Sequence, residues 1–296
     1  MVFVDESKIK IDNKGLIVIG SLVITKKSFK RIINDINKHF GRLEELPEVH
    51  FSEISRANHK ILSLAKFYIN HLSKACGEEP FFINLIICDQ TKLKQEFGKG
   101  SEFHKNVEKR FTRLAVTFSI NKYVRRFKET IVKVIAIDEG GKADDFFFRK
   151  YNIQKIRSKT KAKLPDSYLS IESDPRKEAK KDNGYPEYSI FIDIIDLIIG
   201  AFRSSVMHDA KNKNKIELTD LIFNKILLYL NFGSNSLIKL NIYPKDKKQK
   251  EIKQKILKNL EEIQNIKKTR FLEPKNIKKK VKPAPYTNLN KFFRVN

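Results

Sequence analysis

Several features that mark common protein classes are scarce in this chain of 296 residues. It contains two cysteines, Cys76 and Cys88, with no CxxC spacing and no paired histidines nearby. We therefore expect neither a structural zinc site nor a disulfide framework. No apolar run reaches the ~18 residues of a membrane span, and Asp5 and Glu6 interrupt the apolar start that a signal peptide needs. The sequence thus predicts a cytoplasmic protein with no membrane partner.

Acidic residues are few beside basic ones. The chain has 35 Asp and Glu against 60 Lys and Arg, which gives a formal net charge of +25. A composition rich in Lys, Ile and Asn, such as AT-rich genomes produce, inflates the lysine count but does not explain why the acids lag so far behind. A field of this sign attracts polyanions, so nucleic acid is the predicted partner. The length and the apolar fraction of 41% allow one large folded domain with a sizeable core.

Apolar runs and helical apolar spacings alternate along the chain. The first run ends at Asp5 and Glu6, and Lys14 with Gly15 marks a turn before a second apolar run. Further strands are predicted at 16–24, 80–88, 130–138 and 167–173, and helices at 26–40, 56–74, 104–127, 144–157, 188–206 and 216–230. The connector at 46–55 has room for an edge strand. This alternation, opened by a hairpin, predicts an α/β fold with a mixed sheet flanked by helices.

The composition shifts near the carboxyl end of the chain. Residues 210–296 carry 22 Lys and Arg against 7 Asp and Glu. The segment 247–268 has apolar residues at helical spacing, and 278–293 is a proline-bearing tail with aromatic residues. We therefore divide the chain into an α/β domain over 1–232 and a basic helical C-terminal extension over 233–296. The extension is either a docking helix with a solvated tail or an appendage that grips phosphates.

Two aspartates interrupt the most apolar of the predicted helices. Almost every residue from 190 to 202 is apolar, whereas Asp193 and Asp196 lie three residues apart and therefore on one helical face. Gly200 and Arg203 continue the same stripe. Burying a carboxylate is unfavourable unless it has a partner or a metal ion. The stripe is therefore expected to face either a buried cation or a functional cleft.

Three other acids occupy positions where a site is expected. Asp138 ends the strand predicted at 130–138, and residues just past the carboxyl ends of strands line the ligand crevice of open α/β sheets. Asp5 ends the first apolar run, and Glu48 lies in the connector. Each of them taken alone is also explained as an ordinary turn or connector acid. Together with Asp196 they suit two-metal phosphoryl chemistry, because Mg²⁺ or Mn²⁺ relieves the repulsion between converging carboxylates and activates a water.

The motifs FVDES, EVHFSEI, VIAIDEGG and IFIDIIDLIIGAFR occur in this order along the chain. Their order resembles that of a large bacterial family of uncharacterised proteins with a ribonuclease H-like fold. The resemblance covers about residues 1–206. It implies a ribonuclease H-like mixed sheet flanked by helices. It also points to the metal-binding and catalytic acids, which would be Asp5, Glu48, Asp138 and Asp196.

The chain departs from this family pattern at three positions. Asp193, Ile195 and Lys8 stand where the family has Gln, Ala and Gly. The change at position 193 replaces an uncharged amide by an ionisable carboxyl group. Asp193 is therefore either a further metal ligand or a sign that the site has degenerated.

Three basic residues are candidates for substrate binding. Arg203 continues the acidic stripe, where it either pairs with a ligand carboxylate or holds a phosphate. Lys159 and Lys161 lie in the basic loop at 157–163. That loop either contacts the nucleic-acid backbone or is a solvated run of charge.

The leading functional prediction is a divalent-metal-dependent nuclease. It would cleave phosphodiester bonds with a two-metal carboxylate site and Mg²⁺ or Mn²⁺. The alternative is a catalytically inactive ribonuclease H-like module that binds nucleic acid or a partner protein, for example in a mobile-element or defence system. A third possibility is metal-dependent phosphoryl chemistry on a nucleotide. The sequence leaves open whether the chain forms a homodimer.

Overall fold

A single mixed β-sheet forms the centre of the computed structural model. The structure describes residues 1–11, 14–55, 58–89, 93, 101–127, 129–139, 146–207, 212–226 and 238–243. Six strands within these ranges form the sheet: β1 (Val2–Ile11), β2 (Lys14–Val23), β3 (Phe82–Asp89), β4 (Ile135–Asp138), β5 (Leu169–Ile171) and β6 (Ile238–Tyr243). Their order across the sheet is β5-β4-β1-β2-β3-β6. The first three strands form an antiparallel meander, β4 and β5 continue the sheet parallel to β1, and β6 runs parallel to β3.

Helices cover both faces of this sheet. They are α1 (Lys26–Phe40), α2 (His59–Glu78), α3 (Ser101–Arg126), α4 (Phe146–Arg157), α5 (Pro175–Glu178), α6 (Pro186–Met207) and α7 (Lys213–Lys225). One apolar layer joins α1, α2, α6 and α7 to one face of the sheet, and a second layer joins α3 and α4 to the other face. No helix among the described residues is long and apolar enough to cross a membrane. The predicted α/β class, with a mixed sheet flanked by helices, is thus confirmed.

Helix α1 shows how the sequence sets the limits of an element. Thr25 caps its start, because the side-chain oxygen accepts a hydrogen bond from the Ser28 N–H at 3.1 Å. The apolar spacing that includes Ile32 and Ile36 is buried. Gly41 follows the last turn with φ 86°, in the left-handed region that favours glycine. The bounds predicted for this helix are confirmed.

The first strand is longer than predicted. The sequence suggested that it ends at Asp5 and Glu6, but β1 continues to Ile11 and pairs with β2 along its whole length. The neighbouring strand β4, in contrast, pairs with β1 only as far as Val4. The antiparallel ladder with β2 satisfies the backbone groups beyond Asp5, so the acidic pair does not end the strand. Lys14 is accordingly the first residue of β2 instead of a turn residue.

Two other elements differ from the expectation. The connector at 46–55 contains no strand and instead forms a single 3-10 turn at Phe51–Glu53. The strand β6 was not predicted, and it lies in the part of the chain, 233–296, that was assigned to the extension. The rest of that extension, including the helix predicted at 247–268, lies outside the described residues. The remaining predicted strands and helices are present, with ends shifted by a few residues.

Candidate acidic site beside the first strand

The register of two neighbouring strands places Asp5 beside Asp138. Strands β1 and β4 are parallel and pair Phe3 with Ala136, which lie two residues before the two acids. Side chains alternate along a strand, so each acid lies on the same face of the sheet as the residue two positions earlier. Phe3 and Ala136 belong to the apolar layer that includes α6. Asp5 is buried, with 7% of its surface exposed.

Helix α6 turns its two aspartates toward the connector that follows α1. Asp193 Oδ2 accepts a hydrogen bond from the Val49 N–H at 3.1 Å, and Asp196 Oδ2 accepts one from the Phe51 N–H at 2.7 Å. Both aspartates are buried, with 2% and 5% of their surface exposed. Backbone N–H groups are therefore the partners that these carboxyl groups need in order to be buried. The connector is fixed on the helix at alternate residues, directly after Glu48.

Gly200 completes this contact between α6 and the connector. A Cβ atom at this position would overlap the ring of Phe51, which packs directly against the helix backbone. The sequence predicted that Asp193, Asp196 and Gly200 lie on one helical face. In the structure this face contacts one segment, residues 49–51 of the connector. The missing side chain at Gly200 is what permits so close an approach.

Glu48 and Asp196 are electrostatic neighbours of Asp138, which ends β4. The Ser173 hydroxyl donates to Glu48 Oε1 at 2.6 Å, which ties the connector to the segment after β5. Burial, and then the charges of Glu172, Glu48 and Asp196, raises the pKa of Asp138 to about 6. Glu48, Asp138 and Asp196 therefore lie close enough for their charges to influence one another, and Asp138 is next to the buried Asp5 in the register of β1 and β4.

The pKa of Asp196 reflects opposing influences. Burial raises it, and the charge of Glu48 adds to the rise. The charge of His50, the Phe51 N–H and the charge of Arg203 oppose that rise, in this order. His50 Nδ1 lies 3.5 Å from Asp196 Oδ2. Arg203, which the sequence proposed as a phosphate or carboxylate partner, is thus an electrostatic neighbour of the acidic site.

Glu172 joins the site although the sequence analysis did not single it out. It follows β5 directly, and its charge is the largest of those that raise the pKa of Asp138. Its backbone is held on both sides, because Glu178 Oε2 accepts its N–H at 2.8 Å and the Ser189 hydroxyl donates to its carbonyl at 2.6 Å. The signal was present in the sequence, since Glu172 lies at the carboxyl end of a short apolar run, as Asp138 does.

Asp193 has a more enclosed environment than the other acids. Burial raises its pKa well above the ordinary value, the Val49 N–H opposes the rise, and the charges of Glu48 and Asp196 add to it. Burial and the charge of Asp193 also raise the pKa of Tyr68, so the two side chains are neighbours. Asp193 therefore favours its protonated form. In that form it can still accept the N–H of Val49 and hold the connector in place.

The two lysines proposed to bind substrate are not brought to the acids. Lys159 and Lys161 are exposed on the loop after α4, where the Asn121 side chain donates to the Lys159 carbonyl at 3.0 Å. Ile131, which precedes β4, pairs with this loop. Asp138 lies seven residues further along, and a strand rises by ~3.3 Å per residue, so roughly 20 Å separates the loop from the acids.

The side chains of the site offer the type of donor atom that a hard divalent cation prefers. Among the described parts of the chain, no group of three or more His, Cys, Asp and Glu side chains is arranged so that it could hold a metal ion as it stands. The donors are nevertheless carboxylate oxygens, which Mg²⁺ and Mn²⁺ prefer. Burial is the main cause of the raised pKa of Asp138, and the charges of Glu172, Glu48 and Asp196 add to the rise, so a bound cation would favour the charged forms of these acids. The chemistry of Asp5, Glu48, Asp138 and Asp196 therefore fits the metal that the sequence predicted.

Comparison of the chain with family models, curated proteins and solved structures gives no match. The likeness to a ribonuclease H-like family therefore rests on the sequence motifs.

Proposed function

We propose that this chain is a divalent-metal-dependent nuclease with a ribonuclease H-like fold. The observation that carries the proposal is that the charges of Glu48 from the connector and Asp196 from α6 act on Asp138 of β4, which lies next to Asp5 in the register of β1 and β4. Buried acids that raise one another's pKa are enriched at functional sites. The mixed sheet with helices on both faces also agrees with the fold that the motif resemblance implies.

Neighbouring groups orient the acids of the proposed site. The Ser173 hydroxyl directs one oxygen of Glu48, and the Phe51 N–H directs one oxygen of Asp196. A bound Mg²⁺ or Mn²⁺ would neutralise the carboxylates and activate a water for phosphodiester cleavage. The net charge of +25 would draw a nucleic acid toward the protein, so the acidic site would lie within an attractive field.

A catalytically inactive module that binds nucleic acid or a partner protein is the second candidate. Two observations favour it. Within the described residues the acids are not spaced to hold a metal ion as they stand, and Asp193 replaces the Gln of the resembling family. In this case nucleic-acid binding would depend on the basic surfaces alone. A cytoplasmic location is part of both proposals.

The test of the nuclease is cleavage of DNA, RNA and hybrid substrates by purified protein with Mg²⁺ or Mn²⁺. We compare the wild type with Asp5→Asn and Asp196→Asn, which keep the shape of each side chain and remove its charge. Asp166→Asn is the matched control, because this aspartate is exposed. Loss of a residue that only hydrogen-bonds to a metal ligand already lowers activity roughly 10- to 100-fold, so we expect the first two variants to lose at least about a hundredfold.

The outcomes separate the two candidates. Metal-dependent cleavage that disappears in Asp5→Asn and Asp196→Asn but persists in Asp166→Asn supports the nuclease. Equal cleavage by all four proteins contradicts it, because the activity would then come from elsewhere. Binding of nucleic acid without turnover in any of the four proteins would favour the inactive module.

A further inference from the structure

A group of cations lies at the opposite end of the sheet from the acidic site. Three of them stand in the last turns of α3, and three lie in the loop after α4. All are exposed except the first, which is partly buried. We call this group the α3–α4 cationic surface, and its members are Lys122, Arg125, Arg126, Lys159, Lys161 and Lys163.

Direct contacts hold the two segments of this surface together. Asn121 of α3 donates from its side chain to the Lys159 carbonyl at 3.0 Å. The backbone of Lys163 accepts the N–H of Val132 at 2.8 Å and donates to the carbonyl of Thr130 at 3.1 Å. The end of α3 and the loop after α4 therefore form one continuous surface instead of two separate runs of charge.

Among the described residues, no acid forms an ion pair with a cation of this surface. Lys27 and Lys66, in contrast, pair with glutamates at 2.7 and 2.6 Å. Burial, and then the charges of Arg125 and Arg126, lowers the pKa of Lys122. Like charges thus crowd one another here, and an anion bound at this place would relieve the crowding.

We propose that the α3–α4 cationic surface binds the phosphate backbone of a nucleic acid as a second contact, separate from the acidic site. The inference rests on the proposed function in taking nucleic acid as the substrate. Cations that neutralise phosphates release condensed counterions, which makes such binding favourable and dependent on salt. The loop of this surface lies roughly 20 Å from Asp138 along the sheet. A contact here therefore anchors the polymer without touching the phosphate at the acidic site.

An exposed aromatic ring on α4 favours nucleic acid over other polyanions. Tyr151 is 49% exposed, and the Lys155 ammonium lies 5.3 Å from the centre of its ring. This helix leads directly into the loop that carries Lys159. Proteins that bind single strands combine cations along the backbone with aromatic rings on which bases stack. A lipid headgroup or an acidic peptide offers no flat base for such a ring.

The test compares double variants in a binding assay. Fluorescent RNA and DNA oligonucleotides, single-stranded and duplex, are titrated with protein across a salt series. Two variants each remove a pair of cations from the surface, a third keeps the charge, and a matched control removes two exposed lysines from α1 on the other face of the sheet. The pairs of cations are removed by Lys159→Gln/Lys161→Gln and by Arg125→Gln/Arg126→Gln. The charge is kept in Lys159→Arg/Lys161→Arg, and the control on α1 is Lys30→Gln/Lys38→Gln.

We expect each neutralised pair to weaken binding about tenfold or more at physiological salt. The slope of log affinity against log salt should fall by about one for each cation removed. The charge-keeping variant and the α1 control should bind as the wild type does. Unchanged affinity and slope in both neutralised pairs, at wild-type melting temperature, would overturn the proposal. Equally tight binding of heparin or anionic vesicles, with the same losses, would overturn the assignment to nucleic acid.

The variant Asp196→Asn separates this inference from the proposed function. It should bind nucleic acid as the wild type does while it loses cleavage. If the wild type cleaves no substrate but the neutralised pairs still lose affinity, the nuclease proposal fails and the binding surface stands. If the pairs bind normally and cleavage still depends on the acids, the surface is wrong and the nuclease stands.

Discussion

At the scale of single residues, the two aspartates of α6 have different environments. Asp196 lies within reach of His50 and the electrostatic influence of Arg203, whose charges favour its ionised form. Asp193 lies near Tyr68, and burial is the largest influence on its pKa. Burial raises the pKa of both carboxyl groups, but the charges of His50 and Arg203 oppose the rise at Asp196, whereas at Asp193 the opposing group is the Val49 N–H that it accepts. We infer that Asp193 positions the connector instead of binding metal.

Substitution of Asp193 tests this role. Asp193→Asn keeps an oxygen for the Val49 N–H and removes the ionisable group, so we expect unchanged or higher stability and retained cleavage. Asp193→Ala leaves a buried N–H without its acceptor, which costs about 1–3 kcal/mol of the free energy of unfolding. It should also lower cleavage, because Glu48 precedes the released residue. Urea unfolding and cleavage assays measure both effects. If Asp193→Asn were as damaging as Asp193→Ala, the charge of Asp193 would be the important property.

Asp138 makes the stability of the protein depend on pH. Its pKa in the folded protein is about 6, against an ordinary value of 3.8. Between these values the folded protein holds a proton that the unfolded chain has released. The free energy of unfolding therefore falls as the pH rises through this window. Above this pH window the free energy of unfolding has fallen by its full amount, which is about 3 kcal/mol for a shift of about two pKa units.

Asp138→Asn should remove this penalty. We expect the variant to be more stable than the wild type by about 2–3 kcal/mol above about pH 7, and equally stable below the window. Denaturant unfolding across the pH range measures the difference, with the exposed Asp166→Asn as the control. A difference that stays constant with pH would mean that the charge of Asp138 is not its cause. Addition of Mg²⁺ should stabilise the wild type more than the variant, because the ion would offset the same repulsion.

At the scale of elements, α6 joins the core to the site. Its apolar residues pack in the layer below the sheet, while its polar stripe holds the connector. Gly200 lies at the end of this stripe, against Phe51. Asp193, Asp196 and Gly200 span two turns of the helix and hold residues 49–51 of the connector. Because Glu48 directly precedes these residues, the helix sets its position.

A double-mutant cycle at Gly200 and Phe51 tests this packing. Alanine in place of glycine favours a helix by about 1 kcal/mol, but overpacking costs about 1–3 kcal/mol. We expect Gly200→Ala to be destabilising by up to about 2 kcal/mol and to reduce cleavage. In the background of Phe51→Ala, where the ring is gone, the same change should be neutral or stabilising. Equal effects of Gly200→Ala in both backgrounds, measured by urea unfolding, would contradict the contact.

The elements themselves were largely predictable, because their signals are local. The apolar spacing and caps of α1 and the largely apolar run of β3 identify these elements without knowledge of the rest of the chain. The end of β1 was not predictable in this way. Whether Asp5 ends a strand depends on the ladder with β2, a partner that begins at Lys14. The strand β6 was missed because six residues of alternating pattern were obscured by the basic composition around them.

At the scale of the whole molecule, the acidic site and the α3–α4 cationic surface lie apart. The acidic site lies at the carboxyl end of β4, and the α3–α4 cationic surface lies before its amino end. In a chain with a net charge of +25, burial and then the charges of neighbouring acids raise the pKa of Asp138. A group of acids within a positive field attracts both a divalent cation and a polyanion, which is the combination that the proposed nuclease requires.

The sequence by itself determined the α/β class and identified the acids that are unfavourable to bury. Both follow from short-range patterns, namely the period of apolar residues and a carboxyl group set among them. Only the tertiary structure decided which acids meet. The parallel register of β1 and β4 places Asp5 beside Asp138, and the strand β5 brings Glu172 to them. The packing of α6 against the connector turned Asp193 toward a backbone N–H, and the topology left Lys159 far from the acids. These placements depend on pairings between distant parts of the chain, and the local spacing of apolar residues carries no information about such pairings.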